Sequence, residues 1–265
     1  MANITIGNYY PENSIIHRLD PRVKLFATLV WIVLLFVTNS FLGYAVWTIY
    51  LLTVVLFAKI PFSKLLKCLR GILFIMLFSV IVNVLMTKGQ VIFSVGILSV
   101  TREGLRRGAF LGLRLIYLVL GTSIMTLTTT PNDLADGMEK GLGFLKVLKI
   151  PVHEIAMIIA LALRFIPILM EEAEKIKKAQ MSRGADFETG NVFRRAKSLV
   201  PILVPLFISA MRRALDLATA MEARCYRGGE RTKMKPLKYQ MRDGVAYGVQ
   251  LVLILMVVGI RFLKI

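Results

Sequence analysis

The chain has 265 residues, 56% of them hydrophobic, with 34 basic against 16 acidic side chains and a formal net charge of +18. Its mean hydropathy of +0.67 excludes an ordinary soluble domain, where roughly 45–50% apolar content is usual. Nor does the charge point to nucleic acid, because Lys and Arg gathered on loops between apolar runs are the topology signal of membrane proteins.

Residues 1–24 form an amphipathic lead-in, and Met1–Asn13 lacks the basic-then-apolar order of a cleavable signal. Asp20-Pro21 marks a helix start, with Asp as N-cap and Pro at the first helical position. Leu25–Ala58 carries no charge. As one helix it would reach about 50 Å at ~1.5 Å per residue, too long for a bilayer core of ~30 Å. A hairpin broken near Asn39–Gly43 is therefore expected. Further charge-free runs at Gly71–Thr87, Leu115–Pro131 and Gly244–Ile260 bring the expected spans to five. Arg18, Arg22 and Lys24 place the N-terminus on the cytoplasmic side, and Lys59, Lys64, Lys67 and Arg70 mark the next loop as cytoplasmic. Lys88, Arg102, Arg106 and Arg107 then fall on the outer side against that rule, outweighed by the larger basic content of Asn132–Asp243. Gln90–Thr101, rich in Val and Ile around Gly96, reads as a small β-hairpin or an irregular interfacial loop. Thr101 is an expected N-cap for a long helix carrying Arg106, Arg107 and Arg114.

After Pro131 the character changes. Pro131–Lys149 reads as a short amphipathic helix with Leu134, Met138, Leu142 and Leu145 on one side. Val152–Ser182 starts apolar and ends charged, with Glu171–Lys175 and Glu174–Lys178 as expected i,i+4 pairs and Gly184 as a natural C-terminal cap. Val192–Arg224 repeats the plan, through Pro201 and Pro205 to Arg212, Arg213 and Glu222, and stops at Gly228-Gly229. The apolar runs in both arms have an ambiguous length. With Arg164, Pro167, Pro201 and Pro205 in them, interfacial arms are the favoured reading. Two further spans, Ile155–Met170 and Leu199–Met211, are the alternative, and they would set an arginine in lipid at a cost of ~2.5 kcal/mol or more.

Several chemistries lack their residues. There is no Gly-Lys pair, so a phosphate-cradling G-x-x-x-x-G-K-[ST] loop is missing. His17 and His153 are the only histidines, and His153-Glu154 has no second histidine four residues on, so neither a metal centre nor a cofactor is expected. Cys68 and Cys225, both placed on the reducing side, are not expected to pair. No Asp or Glu lies in the five spans, which argues against a self-sufficient secondary transporter, the alternative function weighed. Asn83 is the main polar side chain in a span and is expected to bond a neighbouring helix. No catalytic constellation is visible.

What remains distinctive is a pair of triplets, Ser182-Arg183-Gly184 and Ala223-Arg224-Cys225, whose arginines lie 41 residues apart at the ends of the two matched arms. An arginine at a helix end is a planar, permanently charged fork that a partner's carboxylates can grip. Met157, Met170, Met181, Met211 and Met221 give the arms an adaptable apolar surface. The pattern is that of a non-catalytic membrane scaffold that docks two soluble partners.

These residues resemble a known family. His17-Arg18-Leu19-Asp20-Pro21-Arg22-Val23-Lys24 is similar to the N-terminal signature of the transmembrane T component (EcfT family) of energy-coupling-factor transporters. Ala179–Phe187 and Ala220–Gly229 resemble that family's two x-Arg-x coupling motifs. The usual triplet is Ala-Arg-Gly; here Ser182 replaces the Ala and Cys225 the Gly, a departure that bears on helix-end geometry at Cys225. The resemblance implies a scaffold that joins two cytoplasmic ABC-type ATPase subunits to a membrane-embedded capture subunit for a vitamin or a transition-metal ion. It implies two crossing arms, with Arg183 and Arg224 each seated in a groove of one ATPase. From the apolar start and charged end of each arm, Met157, Ile158, Leu161, Leu203 and Phe207 on their apolar faces are expected to touch the capture subunit. The expected whole is an all-α integral membrane protein of the cell membrane. It comprises about five transmembrane helices and a cytoplasmic or interfacial coupling domain of three helices, divided as 1–130, 131–243 and 244–265. The bilayer and the two kinds of subunit are its expected partners, and nucleic acid is not one.

Overall fold

The computed structural model describes residues 9–95, 98–141, 143, 151–187, 191–228 and 237–262. In chain order its elements are α1 (Pro21–Val37), α2 (Phe41–Ala58), α3 (Phe62–Arg70), α4 (Leu73–Met86), β1 (Val91–Val95), β2 (Leu98–Thr101), α5 (Arg102–Thr128), α6 (Pro131–Gly141), α7 (Val152–Ser182), α8 (Val192–Ser198), α9 (Val200–Ala223) and α10 (Met241–Phe262). The protein is an all-α membrane protein apart from one antiparallel hairpin, β1–β2, with Val95 opposite Leu98 and Val91 opposite Thr101. The chain falls into two compact units, one built on Gly7–Gly141 with Lys235–Ile265 and the other on Leu142–Met234.

Local signals set most boundaries of the first unit. Asp20 caps α1 by accepting from the Arg22 N–H, and Pro21 takes the first turn. The expected hairpin break falls between Val37 and Phe41, where Ser40 caps α2 through the Gly43 N–H. Gly43 is required there, because a Cβ would sit 2.4 Å from Thr38 Cγ2. Thr101 caps α5 through the Gly104 N–H and donates its own hydroxyl to the Thr87 carbonyl. The hairpin expected at Gln90–Thr101 is present, although Gly96 lies outside the described residues.

The core of this unit is aromatic. Trp47 and Leu35 are fully buried, and Trp31 meets Trp47 edge-on with ring centroids 4.6 Å apart. Each indole finds an acceptor, Trp31 at the Tyr117 carbonyl (3.1 Å) and Trp47 at Thr38 Oγ1 (3.0 Å). Buried Trp needs such partners. Gly121 lets α5 approach, since a Cβ there would lie 2.3 Å from Trp31 Nε1. Arg114 of α5 donates to the Thr38 carbonyl and to Asn39 at the α1–α2 turn, where a cation meets the open carbonyls at the end of α1. Asn83 bonds within its own helix, accepting from the Thr87 hydroxyl, rather than reaching a neighbour.

Among the described residues five helical stretches are long and apolar enough to cross a membrane: α2, α5, α7, Arg195–Ala223 and α10. The number matches the expected five but the membership differs. α1, at 17 residues, is shorter, and α4 qualifies only together with α3, across a bend of 60°. By length and composition both arms qualify as spans, the alternative that the sequence left open. α6 ends at Gly141, so Leu142, Leu145 and Lys149 of the expected amphipathic helix lie outside the described residues, as does Gly229. Its buried residues are Ala135 and Gly137, and Gly137 lies flat on Pro21 of α1.

In the second unit α7 has the expected bounds. The expected single segment Val192–Arg224 is instead α8 and α9, broken at Leu199, four residues after Arg195 and two before Pro201, which has no N–H to bond back to the Lys197 carbonyl and crowds it. α7 and α9 pack on each other. The expected ladder on α7 does not form: the ion pair on this helix is Glu172 to Arg213 of α9, at 2.8 Å, and no ion pair joins Glu171 to Lys175 or Glu174 to Lys178 among the described residues. Exposed i,i+4 pairs gain only about 0.3–0.5 kcal/mol, little against the entropy of holding two long side chains.

Candidate functional site

The two arginine triplets end their helices in the same way. Arg183 is the C-cap of α7 with φ −91° and ψ 10°; Arg224 is the C-cap of α9 with φ −91° and ψ 16°. After Arg183 the chain turns left-handed at Gly184 (φ +84°), whose N–H reaches the Met181 carbonyl while the Ala185 N–H reaches that of Gln180. After Arg224 it turns left-handed at Cys225 (φ 59°), whose N–H reaches the Glu222 carbonyl while the Tyr226 N–H reaches that of Met221. Both are complete Schellman motifs, which satisfy carbonyls that a helix end would otherwise leave open. The Cys at the usual Gly position has not changed the geometry; it occupies a conformation that costs a non-Gly residue roughly 1–2 kcal/mol.

Ser182, Arg183, Gly184, Ala223, Arg224 and Cys225 are all exposed. The Ser182 hydroxyl is turned back to the Lys178 carbonyl, so within the first triplet the arginine is the group presented outward. α7 and α9 run antiparallel, with Gln180 Nε2 donating to the Pro201 carbonyl and Arg213 to Glu172. Their C-terminal arginines therefore stand at opposite ends of the pair. Sequence reasoning missed Glu172 and Arg213, because no local spacing signals a pair that forms between two helices.

Along the arms the apolar side chains form exposed stripes. On α7 these are Ile155, Ile158, Ile166 and Met170, at helical spacing; on α9 they are Val200, Val204, Ile208, Met211 and Leu215, with Leu203 and Phe207 beside them. Ile158, Leu203 and Phe207 are exposed, 62%, 58% and 66%, whereas Met157 and Leu161 are half-buried at the flank of the stripe. α9 buries only Ile202, and α7 only Val152 and Ala156.

The signature His17–Lys24 has a different job. Lys24 Nζ donates to the Thr128 and His17 carbonyls, the first of them at the end of α5. The Tyr10 N–H adds a bond to the Leu127 carbonyl, and the His17 ring bonds the Tyr10 carbonyl and Ser14. Burial holds the His17 imidazole below its ordinary pKa, against the opposing pull of the Tyr10 carbonyl, with the Lys24 charge acting in the same direction as burial. Asp243, 3% exposed, accepts from the Asp20 N–H (2.9 Å) and the Gln240 N–H (2.8 Å), and so ties the start of α1 to the start of α10. The signature is thus a clasp on the ends of α5 and α10. Asp243 was not singled out from sequence, since its partner is 223 positions away.

An apolar groove of about 680 Å³ opens among α1, α2, α5 and α10. Its polar groups Lys24, Tyr50 and Gln250 are already engaged, Lys24 with backbone and Gln250 with Tyr50 at 2.6 Å. It therefore lacks the converging free polar groups of a small-molecule site. Among the described residues no group of three or more His, Cys, Asp or Glu side chains is placed to hold a metal ion, and Cys68 and Cys225 are free thiols.

Residues 12–235 match a family described as CbiQ, cobalt transport protein. The chain is 52% identical over 248 residues to the energy-coupling factor transporter transmembrane protein EcfT of Thermosediminibacter oceani, covering 93% of this chain and 94% of that one. It is 51% identical over 257 residues to the protein of that name from Clostridium kluyveri, covering 96% and 95%. With that of Bacillus subtilis the identity is 48% over 245 residues, covering 92% of each chain.

Proposed function

This chain belongs to the EcfT family of energy-coupling factor transporter transmembrane proteins, and we propose that Arg183 and Arg224 are the anchors through which it grips two soluble ATPase subunits. It is the multi-pass transmembrane coupling scaffold of such a transporter. The observation that carries the docking assignment is the duplication of one structure. Two exposed arginines cap two antiparallel helices with matching backbone angles and the same Schellman turn. Each arginine thus projects from a rigid helix end, where a carboxylate-lined groove can take its fork.

In this reading two ABC-type ATPases each take one arginine, and ATP is hydrolysed by them and not by this chain, which has no phosphate-binding loop. The N-terminus and the coupling segment within residues 131–243 face the cytoplasm, in keeping with their basic content. The apolar stripes of α7 and α9, with Ile158, Leu203 and Phe207 exposed and Met157 and Leu161 at the flank, receive a membrane-embedded capture subunit. The arms lie at the inner interface, in keeping with their prolines and Arg164. Closing of the ATPases on nucleotide moves the two helix ends, and the arms tilt the capture subunit. The cargo class is a vitamin or a transition-metal ion. The matched family is described as a cobalt transport protein, and the names of the relatives specify no substrate.

The test is replacement of both arginines, Arg183→Glu with Arg224→Glu, in the assembled transporter. Truncating a desolvated charged contact at an interface costs about 2–5 kcal/mol. The double variant is expected to reach the membrane at normal levels, lose the ATPases on affinity purification and stop uptake, with each single variant milder. Normal assembly and uptake in the double variant would remove the docking role.

A further inference from the structure

The Glu172–Arg213 ion pair occupies a special position on the arms. Glu172 lies eleven residues before Arg183, and Arg213 lies eleven residues before Arg224. At ~1.5 Å per residue each arginine is about 16 Å of helix away from the pair, in opposite directions because the helices are antiparallel. Equality of this kind is not inherited from helix length. α7 has 31 residues and α9 has 24, and the pair lies much further from the start of α7 than from the start of α9.

Apolar packing beside the pair is shallow: Ala173 and Ile176 on α7 and Ala210 and Leu217 on α9 are half-buried. A well-packed helix pair interlocks ridges and grooves of buried apolar side chains, whereas α7 buries Val152 and Ala156, far from Glu172, and α9 buries Ile202. At the meeting point stand a carboxylate whose side chain is 27% exposed and a guanidinium that is 40% exposed, 2.8 Å apart. The contact is single-pronged. Arg213 donates through Nη2, while its Nε is buried without a partner. A guanidinium that engages a carboxylate with two parallel bonds fixes the plane between them; one bond holds position and leaves rotation free.

We propose that Glu172 and Arg213 are positioning residues that form the pivot of the two arms, holding α7 and α9 together midway between the two arginines, while the angle between them changes at the expense of the longer, exposed Gln180–Pro201 bond (3.4 Å) nearer Arg183. This inference rests on the reading of Arg183 and Arg224 as docking ends, because equal levers matter only if both ends bear a load. With equal levers, a symmetric movement of two ATPases becomes a change of crossing angle without sliding one arm along the other. If the pivot is lost, the arms slip and the ends are no longer equidistant from the meeting point.

The experiment is pulsed dipolar spectroscopy on the purified full chain, without partners. Spin labels are placed at Lys178→Cys and Ala220→Cys, exposed positions near the two ends, with Cys68 and Cys225 replaced. The parent should give one defined distance distribution. Glu172→Arg should broaden it at least twofold or shift its centre by several ångströms, and the charge-swapped Glu172→Arg with Arg213→Glu should restore it. Glu172→Gln, which keeps size and one acceptor, should lie between. The same variants in the reconstituted transporter should keep their ATPases, with Glu172→Arg consuming severalfold more ATP per molecule taken up and the swap recovering the ratio. An unchanged distribution in Glu172→Arg, or a swap that restores neither distance nor ratio, overturns the pivot and leaves the docking reading standing. Should Arg183→Glu with Arg224→Glu leave assembly intact while the distances respond as stated, the docking reading fails and the pivot geometry survives. If Glu172→Arg does not fold, Glu172→Gln and the swapped variant decide by the same readings.

Discussion

The two units of this molecule differ in whether a buried core lies beneath their apolar surface. Around Trp31 and Trp47 the unit of α1, α2, α5 and α10 has an aromatic core in which the polar atoms of both indoles are bonded, beneath outer faces where Phe26, Phe36, Phe57 and Val245 are exposed. On α7 and α9 the same kinds of side chain, Ile158, Met170, Leu203, Phe207 and Leu215, are left outward in stripes. One unit holds a packed core of its own beneath an apolar outer face. The other has two long helices in contact with each other and apolar faces that this chain leaves uncovered, as a surface built for another subunit or for lipid requires.

That contrast can be broken by the same kind of truncation in each region. Trp47→Ala, at a fully buried position, should destabilise the purified chain by about 3–5 kcal/mol, seen as a large drop in its unfolding temperature in detergent. Leu203→Ser with Phe207→Ser should stay within ~0.5 kcal/mol of the parent in that assay and instead lower retention of the capture subunit. If Trp47→Ala and the Leu203/Phe207 pair behaved alike, the division between a unit with its own buried core and partner-facing arms would be wrong.

The clasp sharpens the comparison from the polar side. Asp243→Ala removes a buried carboxylate with two backbone N–H partners, one of them on Asp20. Hydrogen bonds to charged groups carry about 1.5–3 kcal/mol, so a loss of about 2–3 kcal/mol is expected in the same unfolding assay. Proteolysis should also reach residues 9–20 sooner, while the distance between labels on the two arms stays unchanged.

The smallest expected effect lies at the arm ends. Cys225→Gly should stabilise the α9 end by about 1 kcal/mol, because glycine takes the left-handed conformation without the Cβ penalty. Gly184→Ala should cost the α7 end a similar amount. Amide exchange at Tyr226 and Ala185, the last bonded N–H groups of the two turns, reads both changes. An unchanged rate at both positions would contradict the equivalence of the two ends.

What the sequence made legible were features with a local cause. Asp20-Pro21, Ser40 within the expected break, Thr101 before α5 and Gly184 after α7 each act within three residues, and all fall where their chemistry puts them. The paired triplets were legible because two copies of one pattern stand at matched helix ends. Contacts set by tertiary structure were not. Asp243 meets Asp20, and Glu172 prefers Arg213 on another helix over a lysine on its own. The division into α8 and α9 at Leu199 was passed over although Pro201 signals it. α1 and α4 come out at 17 and 14 residues, because helix length depends on where the backbone caps fall and not on how far a charge-free run extends.

The central claim is that the two arginine ends touch soluble ATPases, and crosslinking from beside the arginines tests it most directly. Ser182→Cys and Ala223→Cys leave both arginines in place, and each can carry a short photo-reactive group in a background with Cys68→Ser and Cys225→Gly. In the assembled transporter in native membranes, illumination should join each position to an ATPase subunit, with yields that change when nucleotide is added. The same group at Val245, an exposed position on α10, should give no such product. Adducts from Ser182 and Ala223 to lipid or to the capture subunit alone, with no ATPase in either, would contradict the account.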